Sequence, residues 1–179
     1  MKLQMKRLVK PSPINGCVKA PASKSVAQRA IAIASMANGE SQVLCSGNSD
    51  DVISAIGVCK ALGADIKGGK DKLIIKGGLK TPEQSLNCGE SGLGIRMFSC
   101  IAATLEQPVT LTGIGTLINR PMEIVEQSIK EMGAQCKTKN GFIPIMVKGS
   151  IKGGIARVDG SLSSQVITGM LMAAPLAKA

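Results

Sequence analysis

The chain reads Ile56-Gly-Val-Cys-Lys-Ala-Leu-Gly-Ala-Asp-Ile66 and, about seventy residues later, Glu126-Gln-Ser-Ile-Lys-Glu-Met-Gly-Ala-Gln-Cys136. Leu62-Gly-Ala64 in the first stretch thus matches Met132-Gly-Ala134 in the second, and each stretch is followed by a lysine-rich turn and a short apolar segment. A period of this length indicates that one supersecondary unit is built more than once. This repeat therefore decides how the rest of the chain is divided.

The first unit is predicted to contain six elements in the order β-α-β-α-β-β. Apolar residues recur at helical spacing in its first helix, at Ala27, Ile31 and Ala34. Ser49, followed by two aspartates, is typical of the start of a second helix. The predicted strands are 16–20, 41–45, 65–67 and 72–76, and the predicted helices are about 25–38 and 49–62.

The second unit repeats this order at the same offset, and a third unit begins near Asp159. Its first helix would again be apolar, over 166–174. The second unit is predicted to have helices at about 92–105 and from Pro121, and strands at 109–112, 135–137 and 142–147. We therefore predict an α/β fold of repeated β-α-β-α-β-β units, two complete and a third only begun, with helices packed against sheets.

Composition limits the classes of partner. The 179 residues are 44% apolar and carry 22 basic and 12 acidic side chains, for a formal charge of +10. This excess indicates an anionic partner without identifying it. Many of the lysines fall in two hairpin-like stretches, 67–80 and 137–152, where we expect solvated strand edges. Nucleic acid is disfavoured because single-strand binders pair basic grooves with aromatic rings, and this chain has two Phe, no Tyr and no Trp.

Cysteine spacing and the absence of histidine argue against a metal centre. The six cysteines show no Cys-x-x-Cys spacing, and the sequence contains no His. We expect reduced thiols in a cytoplasmic protein. The sequence also shows no signal peptide and no apolar run long enough to span a membrane, so we predict a soluble protein without a membrane partner.

The residues that could bind an anion lie at the starts of predicted helices. Lys24 and Ser25 open the first helix, and Arg29 follows one turn later on nearly the same face. Backbone N–H groups and the helix dipole favour an anion at such a position, where an ammonium, a hydroxyl and a guanidinium could all contact a phosphate. The alternative is that a serine caps the helix and both cations are solvated.

Two further loops have similar character. The second, Asn87-Cys-Gly-Glu-Ser-Gly-Leu-Gly-Ile-Arg96, contains three glycines that would let a ligand approach the backbone, notably at Gly92. Its Arg96 could pair with a carboxylate inside the fold or contact a ligand. In the third loop, Arg120 precedes a helix and is interpreted as an anion contact. Its counterpart in the first unit, Asp50-Asp51, is interpreted as structural.

A fourth helix start presents Ser163, Ser164 and Gln165, whose hydroxyls and amide suit directional recognition of hydroxyls or a phosphate. Without histidine, acid–base chemistry would fall to Asp, Glu or Lys. No carboxylate is singled out as a partner of the four loops. The arrangement therefore resembles half of a binding site.

Taken together, these motifs resemble the enolpyruvyl transferase family, and within it the branch that acts on shikimate 3-phosphate. They occur in the family's order over nearly the whole chain. The matching strings are Ala22-Ser-Lys-Ser-Val-Ala-Gln-Arg29, Ser49-Asp-Asp51 with Leu62-Gly-Ala64, Gly89-Glu-Ser-Gly-Leu-Gly-Ile-Arg96, Asn119-Arg-Pro121, and Asp159-Gly-Ser-Leu-Ser-Ser-Gln165 running on to Met172-Ala-Ala-Pro175.

The resemblance implies transfer of the enolpyruvyl group of phosphoenolpyruvate to the 5-hydroxyl of shikimate 3-phosphate, with release of phosphate through a tetrahedral intermediate and no metal or organic cofactor. It implies that Lys24 contacts both substrates. Gly92 and Arg120 would hold phosphoenolpyruvate. The remaining contacts would hold shikimate 3-phosphate: Ser25, Arg29, Ser163, Ser164 and Gln165, the last reaching phosphoenolpyruvate too.

The sequence departs from the family in its glycine-rich loop and in its length. Glu90, Ser91, Leu93 and Gly94 replace the commoner residues of that loop, whereas Gly92 is retained. Family members are also more than twice as long and form an inside-out α/β barrel in each of two domains.

The difference in length determines which parts of the enzyme we expect in these residues. The resemblance implies that residues 1–19 pack with a later domain and that 20–179 form an incomplete substrate-binding domain. The catalytic acid and base are expected in that later domain, beyond Ala179, so no residue of this chain is assigned a catalytic role. We expect the chain to be inactive by itself and the full-length enzyme to be monomeric.

Two other functions remain open. The related enzymes that act on a UDP-amino sugar (UDP-N-acetylglucosamine) typically have Asn where this chain has Ser25. A non-catalytic anion-binding module would also account for the charge.

Overall fold

The protein is built of helices and short strands, and this computed structural model describes residues 7–80, 83–152 and 154–177. The α-helices are α1 (Lys24–Met36), α2 (Asp50–Ala61), α3 (Gly92–Ala102), α4 (Glu123–Glu131) and α5 (Ser164–Ala173). The strands are β1 (Glu40–Leu44), β2 (Asp65–Gly68), β3 (Lys72–Lys76), β4 (Ser85–Asn87), β5 (Val109–Thr112), β6 (Gln135–Lys139) and β7 (Phe142–Lys148). Short 3-10 helices cover Gly115–Asn119 and Ala174–Leu176.

The strands form two sheets, one for each repeat unit. The first has the order β1-β3-β2 and is antiparallel throughout. The second has the order β4-β5-β7-β6, in which β4 runs parallel to β5 and the other neighbours are antiparallel. The first sheet thus has the order of the last three strands of the second, as the repeat predicts. The lysines of the β2–β3 and β6–β7 hairpins are exposed, as expected.

The repeated Gly63 and Gly133 perform the same structural task. Each has a positive φ, 103° and 83°, just after its helix ends. The next residues, Ala64 and Ala134, donate backbone hydrogen bonds to carbonyls of α2 and α4 that lie five residues earlier. Because a left-handed residue at this point favours glycine, the Gly-Ala motif marks the turn from helix to strand in both units.

One predicted element is wrong. Residues 16–20 form no strand, and Val18 is 90% exposed. The equivalent β4 of the second unit is held by the parallel strand β5, but no described strand pairs with 16–20.

Two expectations concern the ends of the chain. The described part of the predicted N-terminal segment, residues 7–19, is exposed throughout, and residues 1–6 lie outside the described residues. Ala179 also lies outside them, since the described chain ends at residue 177. The location of the catalytic acid and base beyond Ala179 therefore stays a prediction.

Helix α3 lies at the centre of the core. All but one of its residues are buried, including Phe98. Helix α5 packs directly against it, since a Cβ on Gly169 would lie 2.9 Å from the Cα of Met97. The first helix of the third unit is therefore docked on the first helix of the second, and this contact brings the starts of α3 and α5 together.

All six cysteines are unpaired. Cys59, Cys88, Cys100 and Cys136 are buried, and burial raises the pKa of each thiol to about 12, so they behave as small apolar side chains. Among the described residues, no helix has the length and apolarity needed to cross a membrane.

Candidate anion-binding site

One pocket of about 320 Å³ collects residues from every loop that the sequence analysis selected. Five of the predicted site residues line it: Lys24, Ser25, Gly92, Arg120 and Gln165. Its other lining residues are Gln28, Asp51, Glu90, Leu93 and Thr116. The N-terminal ends of α1 and α3 both open onto this pocket, so their free backbone N–H groups and dipoles favour an anion there.

The other three predicted residues lie beside the pocket rather than in its lining. Arg29 donates from Nη1 to the carbonyl of Ser25 at 3.0 Å and from Nη2 to the hydroxyl of Thr168 at 3.4 Å. It therefore bridges the starts of α1 and α5. Ser163 occupies the N-cap position of α5 without a side-chain capping bond, and Ser164 is exposed. Both hydroxyl groups thus lie at the helix start where the sequence analysis expected them.

Two carboxylates line the pocket, which corrects the sequence-based interpretation that no carboxylate accompanies the loops. The ammonium of Lys24 forms an ion pair with Asp51, with Nζ and Oδ2 2.9 Å apart. Asp51 therefore belongs to the site and is more than a structural residue at the start of α2. The second carboxylate is Glu90, from the glycine-rich loop.

A buried polar pair ties α1 to the start of α3. Ser91 donates from its hydroxyl to Oε1 of Gln28 at 2.7 Å and accepts from the backbone N–H of Gly94 at 2.9 Å. Both side chains are almost fully buried, at 1% and 0% exposure. The same hydroxyl thus caps α3 and fixes the distance between two walls of the pocket. Neither residue is among those predicted from the sequence, although a glutamine on the apolar side of α1 indicates a buried partner.

Arg96 forms no ion pair with a carboxylate of the described residues, and it does not line the pocket. Its guanidinium donates to the carbonyl of Gly92 at 3.0 Å, to Oε1 of Gln165 at 3.3 Å and to the carbonyl of Pro121 at 3.3 Å. These three oxygens belong to the second, fourth and third loops, so Arg96 links these three loops to one another through hydrogen bonds. Burial, and then the neighbouring charge of Arg120, lower the pKa of Arg96. The buried Nε atom has no hydrogen-bond partner among the described residues.

Gly92 lies under two guanidinium groups. A Cβ at this position would be 2.5 Å from Nη1 of Arg120 and 3.1 Å from Nη1 of Arg96. The missing side chain therefore lets both cations approach the backbone of α3. An anion held at the α3 start would share the pocket with Lys24, at the start of α1, and with Arg120, which precedes α4, and two such cations favour a phosphate or a carboxylate.

A larger cavity of about 610 Å³ between α4 and α5 is lined mostly by apolar residues and lacks such a group of cations. In the described ranges, no group of three or more His, Cys, Asp or Glu side chains could hold a metal ion. The 320 Å³ pocket is therefore the candidate site.

Known proteins resemble the chain along nearly its whole length. A model of the family described as EPSP synthase (3-phosphoshikimate 1-carboxyvinyltransferase) matches residues 8–179. The 3-phosphoshikimate 1-carboxyvinyltransferase of Methanocorpusculum labreanum is 41% identical over 179 residues, covering 98% of this chain and 42% of the relative. The enzyme of the same name from Clostridium kluyveri is 36% identical, covering 94% of this chain and 40% of the relative.

Solved structures agree. An EPSP synthase structure from Acinetobacter baumannii matches with a TM-score of 0.81 at 29% identity, covering 91% of this chain and 38% of the solved chain. The α/β fold predicted from the repeat is therefore the fold of these structures. The chain spans about two fifths of the length of the relatives it matches.

Proposed function

The chain belongs to the EPSP synthase (3-phosphoshikimate 1-carboxyvinyltransferase) family, and from this premise we propose that its pocket holds shikimate 3-phosphate and phosphoenolpyruvate for enolpyruvyl transfer. One observation carries the proposal. Five residues selected from four separate loops converge on a single pocket with two cations and two helix N-termini. Both proposed ligands are anions that carry a phosphate group, so this chemistry fits them.

We assign the two ends of the pocket to different ligands. Phosphoenolpyruvate would bind between Gly92 and Arg120, with Lys24 between the two substrates. Shikimate 3-phosphate would bind at the α1 and α5 starts, where Ser25, Arg29 and Gln165 are close to one another through the contacts of Arg29 with Ser25 and Thr168. Ser163 and Ser164 would add hydroxyl donors to the same phosphate ester.

The pocket is proposed as the binding part of the reaction. Addition of the 5-hydroxyl oxygen to phosphoenolpyruvate requires that one proton leave the hydroxyl and another reach the methylene carbon, which is work for an acid–base pair. The two carboxylates of the pocket are already engaged, Asp51 with Lys24 and Glu90 with Thr116. We therefore propose that the acid and base come from a later domain of the enzyme, beyond Ala179, and that these 179 residues bind without turnover. A monomeric full-length enzyme and a cytoplasmic location stay predictions.

Isothermal titration of the chain with phosphoenolpyruvate, shikimate 3-phosphate and shikimate tests the proposal. We expect saturable binding of both phosphates and none of shikimate. Arg120→Gln should weaken the binding of phosphoenolpyruvate, and Arg29→Gln should weaken the binding of shikimate 3-phosphate. Each affinity should fall by about tenfold or more, because each variant removes a charge-assisted hydrogen bond.

Lys139→Gln is the matched control, because it removes the same charge from an exposed hairpin. Equal binding of shikimate and shikimate 3-phosphate would contradict the proposal. Binding of any polyanion, lost equally in all three variants and screened by moderate salt, would instead indicate a general anion-binding module.

A further inference from the structure

Glu90 places a negative charge in a pocket whose proposed ligands are anions. The side chain is exposed and lies at the entry to α3, in the glycine-rich loop. A carboxylate at this position opposes anion binding by simple electrostatics. Its contacts therefore need an explanation.

The carboxylate of Glu90 is hydrogen-bonded to another residue of the pocket lining, Thr116. Oε2 of Glu90 accepts from the backbone N–H of Thr116 at 2.9 Å and from its hydroxyl at 3.1 Å. These two bonds, and then the charge of Arg120, lower the pKa of Glu90, so the group is ionised at neutral pH. The remaining charged groups around the pocket are Asp51, Lys24 and the more deeply placed Arg96.

Thr116 relays this contact to Arg120. Nη2 of Arg120 donates to the Thr116 hydroxyl at 3.3 Å. A hydroxyl has one hydrogen and two lone pairs, and an ionised carboxylate can only accept. The hydroxyl must therefore donate to Glu90 and accept from Arg120, which gives the chain of three side chains a fixed direction.

The loop is shaped to receive Glu90. Gly115 has a φ of 58°, and a Cβ there would lie 2.2–2.4 Å from the carboxyl carbon and oxygens of Glu90. Only a glycine lets the backbone lie against the carboxylate in this way. The contact is therefore a feature of the loop backbone as well as of two side chains.

We propose that Glu90 is a positioning residue that fixes the 115–119 loop and, through the Thr116 hydroxyl, holds the Arg120 guanidinium over Gly92 for phosphoenolpyruvate. This inference rests on the proposed function for the identity of the ligand. The Glu90 carboxylate places a negative charge near the bound anion, which opposes binding. It also holds the Arg120 guanidinium in one orientation before the ligand binds, which favours binding.

The first test follows the network without any ligand. In 15N-resolved NMR spectra, the Thr116 amide and the Arg120 Nε–H should shift together as acid titrates Glu90. Both shifts should vanish in Glu90→Gln and persist in Glu40→Gln, which makes the same change at an exposed position outside the pocket. If the chemical shift of the Thr116 amide does not change as Glu90 is titrated, the proposal is overturned.

The second test uses phosphoenolpyruvate affinity. Glu90→Gln and Thr116→Val should each weaken it about fivefold, within the range of coupling measured between contacting residues. In an Arg120→Gln background, Glu90→Gln should have no further effect, and shikimate 3-phosphate affinity should stay unchanged. Tighter phosphoenolpyruvate binding by Glu90→Gln would show that the charge merely repels the ligand, and would overturn the proposal.

The two tests separate this inference from the proposed function. If the wild-type chain binds neither substrate while the coupled NMR titration is seen, the proposed function fails and the positioning of Arg120 by Glu90 stands. If phosphoenolpyruvate binds but Thr116 and Arg120 do not respond to Glu90, the proposed function stands and this inference fails.

Discussion

Removal of the Ser91 hydroxyl should destabilise the fold far more than loss of an ordinary helix cap. In Ser91→Ala the start of α3 loses its capping acceptor, which typically costs about 1 kcal/mol. Oε1 of Gln28 also loses its donor while it remains fully buried, and an orphaned buried acceptor costs about 1–3 kcal/mol. We therefore expect a loss of roughly 2–4 kcal/mol in the free energy of unfolding.

Ser23→Ala is the matched control. Ser23 caps α1, but it is exposed and its hydroxyl accepts from the N–H of Val26 at the longer distance of 3.4 Å. Its removal should cost about 0.5 kcal/mol, at the low end for helix caps. The two variants thus share one chemical change and differ in the buried link to Gln28.

Urea unfolding followed by circular dichroism measures both values, with equal slopes required for the comparison. The double variant Gln28→Met, Ser91→Ala should recover part of the loss, because it leaves no unpaired polar group. A Ser91→Ala variant within about 0.5 kcal/mol of Ser23→Ala would refute the reasoning, since that is the spread of an ordinary surface substitution.

Two further predictions concern ligand affinity and pH. Gly92→Ala should weaken the binding of phosphoenolpyruvate about tenfold in calorimetry, because the added Cβ displaces Nη1 of Arg120. The free energy of unfolding should not fall, because alanine favours the helix. An unchanged phosphoenolpyruvate affinity would contradict this account of Gly92. The pKa of Glu126 is lowered to about 2, by hydrogen bonds first from Lys130 and then from Thr138. A lowered pKa stabilises the fold above the unfolded-state value near 4.5, and this stabilisation is lost as pH falls towards 2. Wild type should therefore exceed Glu126→Gln in stability at pH 7 and converge with it by about pH 2, as measured by urea unfolding, and a pH-independent difference would contradict the assignment.

Local signals in the sequence were sufficient for most of the fold. The Gly63 and Gly133 turns, with apolar periodicity on either side, gave the helices to within a few residues, because these signals act over a few neighbours. Residues 16–20 have the same local character and form no strand. A strand requires a partner, which local sequence does not provide.

The candidate site follows the same division. Lys24 and Gly92 could be chosen because each lies at a helix start, where the chemistry of anion binding is local, and Arg120 because it shortly precedes a helix. Asp51 and Glu90 were missed as pocket residues, since their roles depend on partners from other loops. The grouping of distant loops around one ligand could not be predicted from spacing, and came from the family resemblance. Five of the eight residues that the resemblance implies line the same pocket.

The most direct test of the central claim is a map of backbone amide NMR shifts on titration with shikimate 3-phosphate followed by phosphoenolpyruvate. We predict shifts at the starts of α1, α3 and α5 and along 115–120, with the second ligand acting mainly at Gly92 and Arg120. Shifts confined to the lysine-rich hairpins, 67–80 and 137–152, would show that the charge of the chain binds anions elsewhere and would contradict the account.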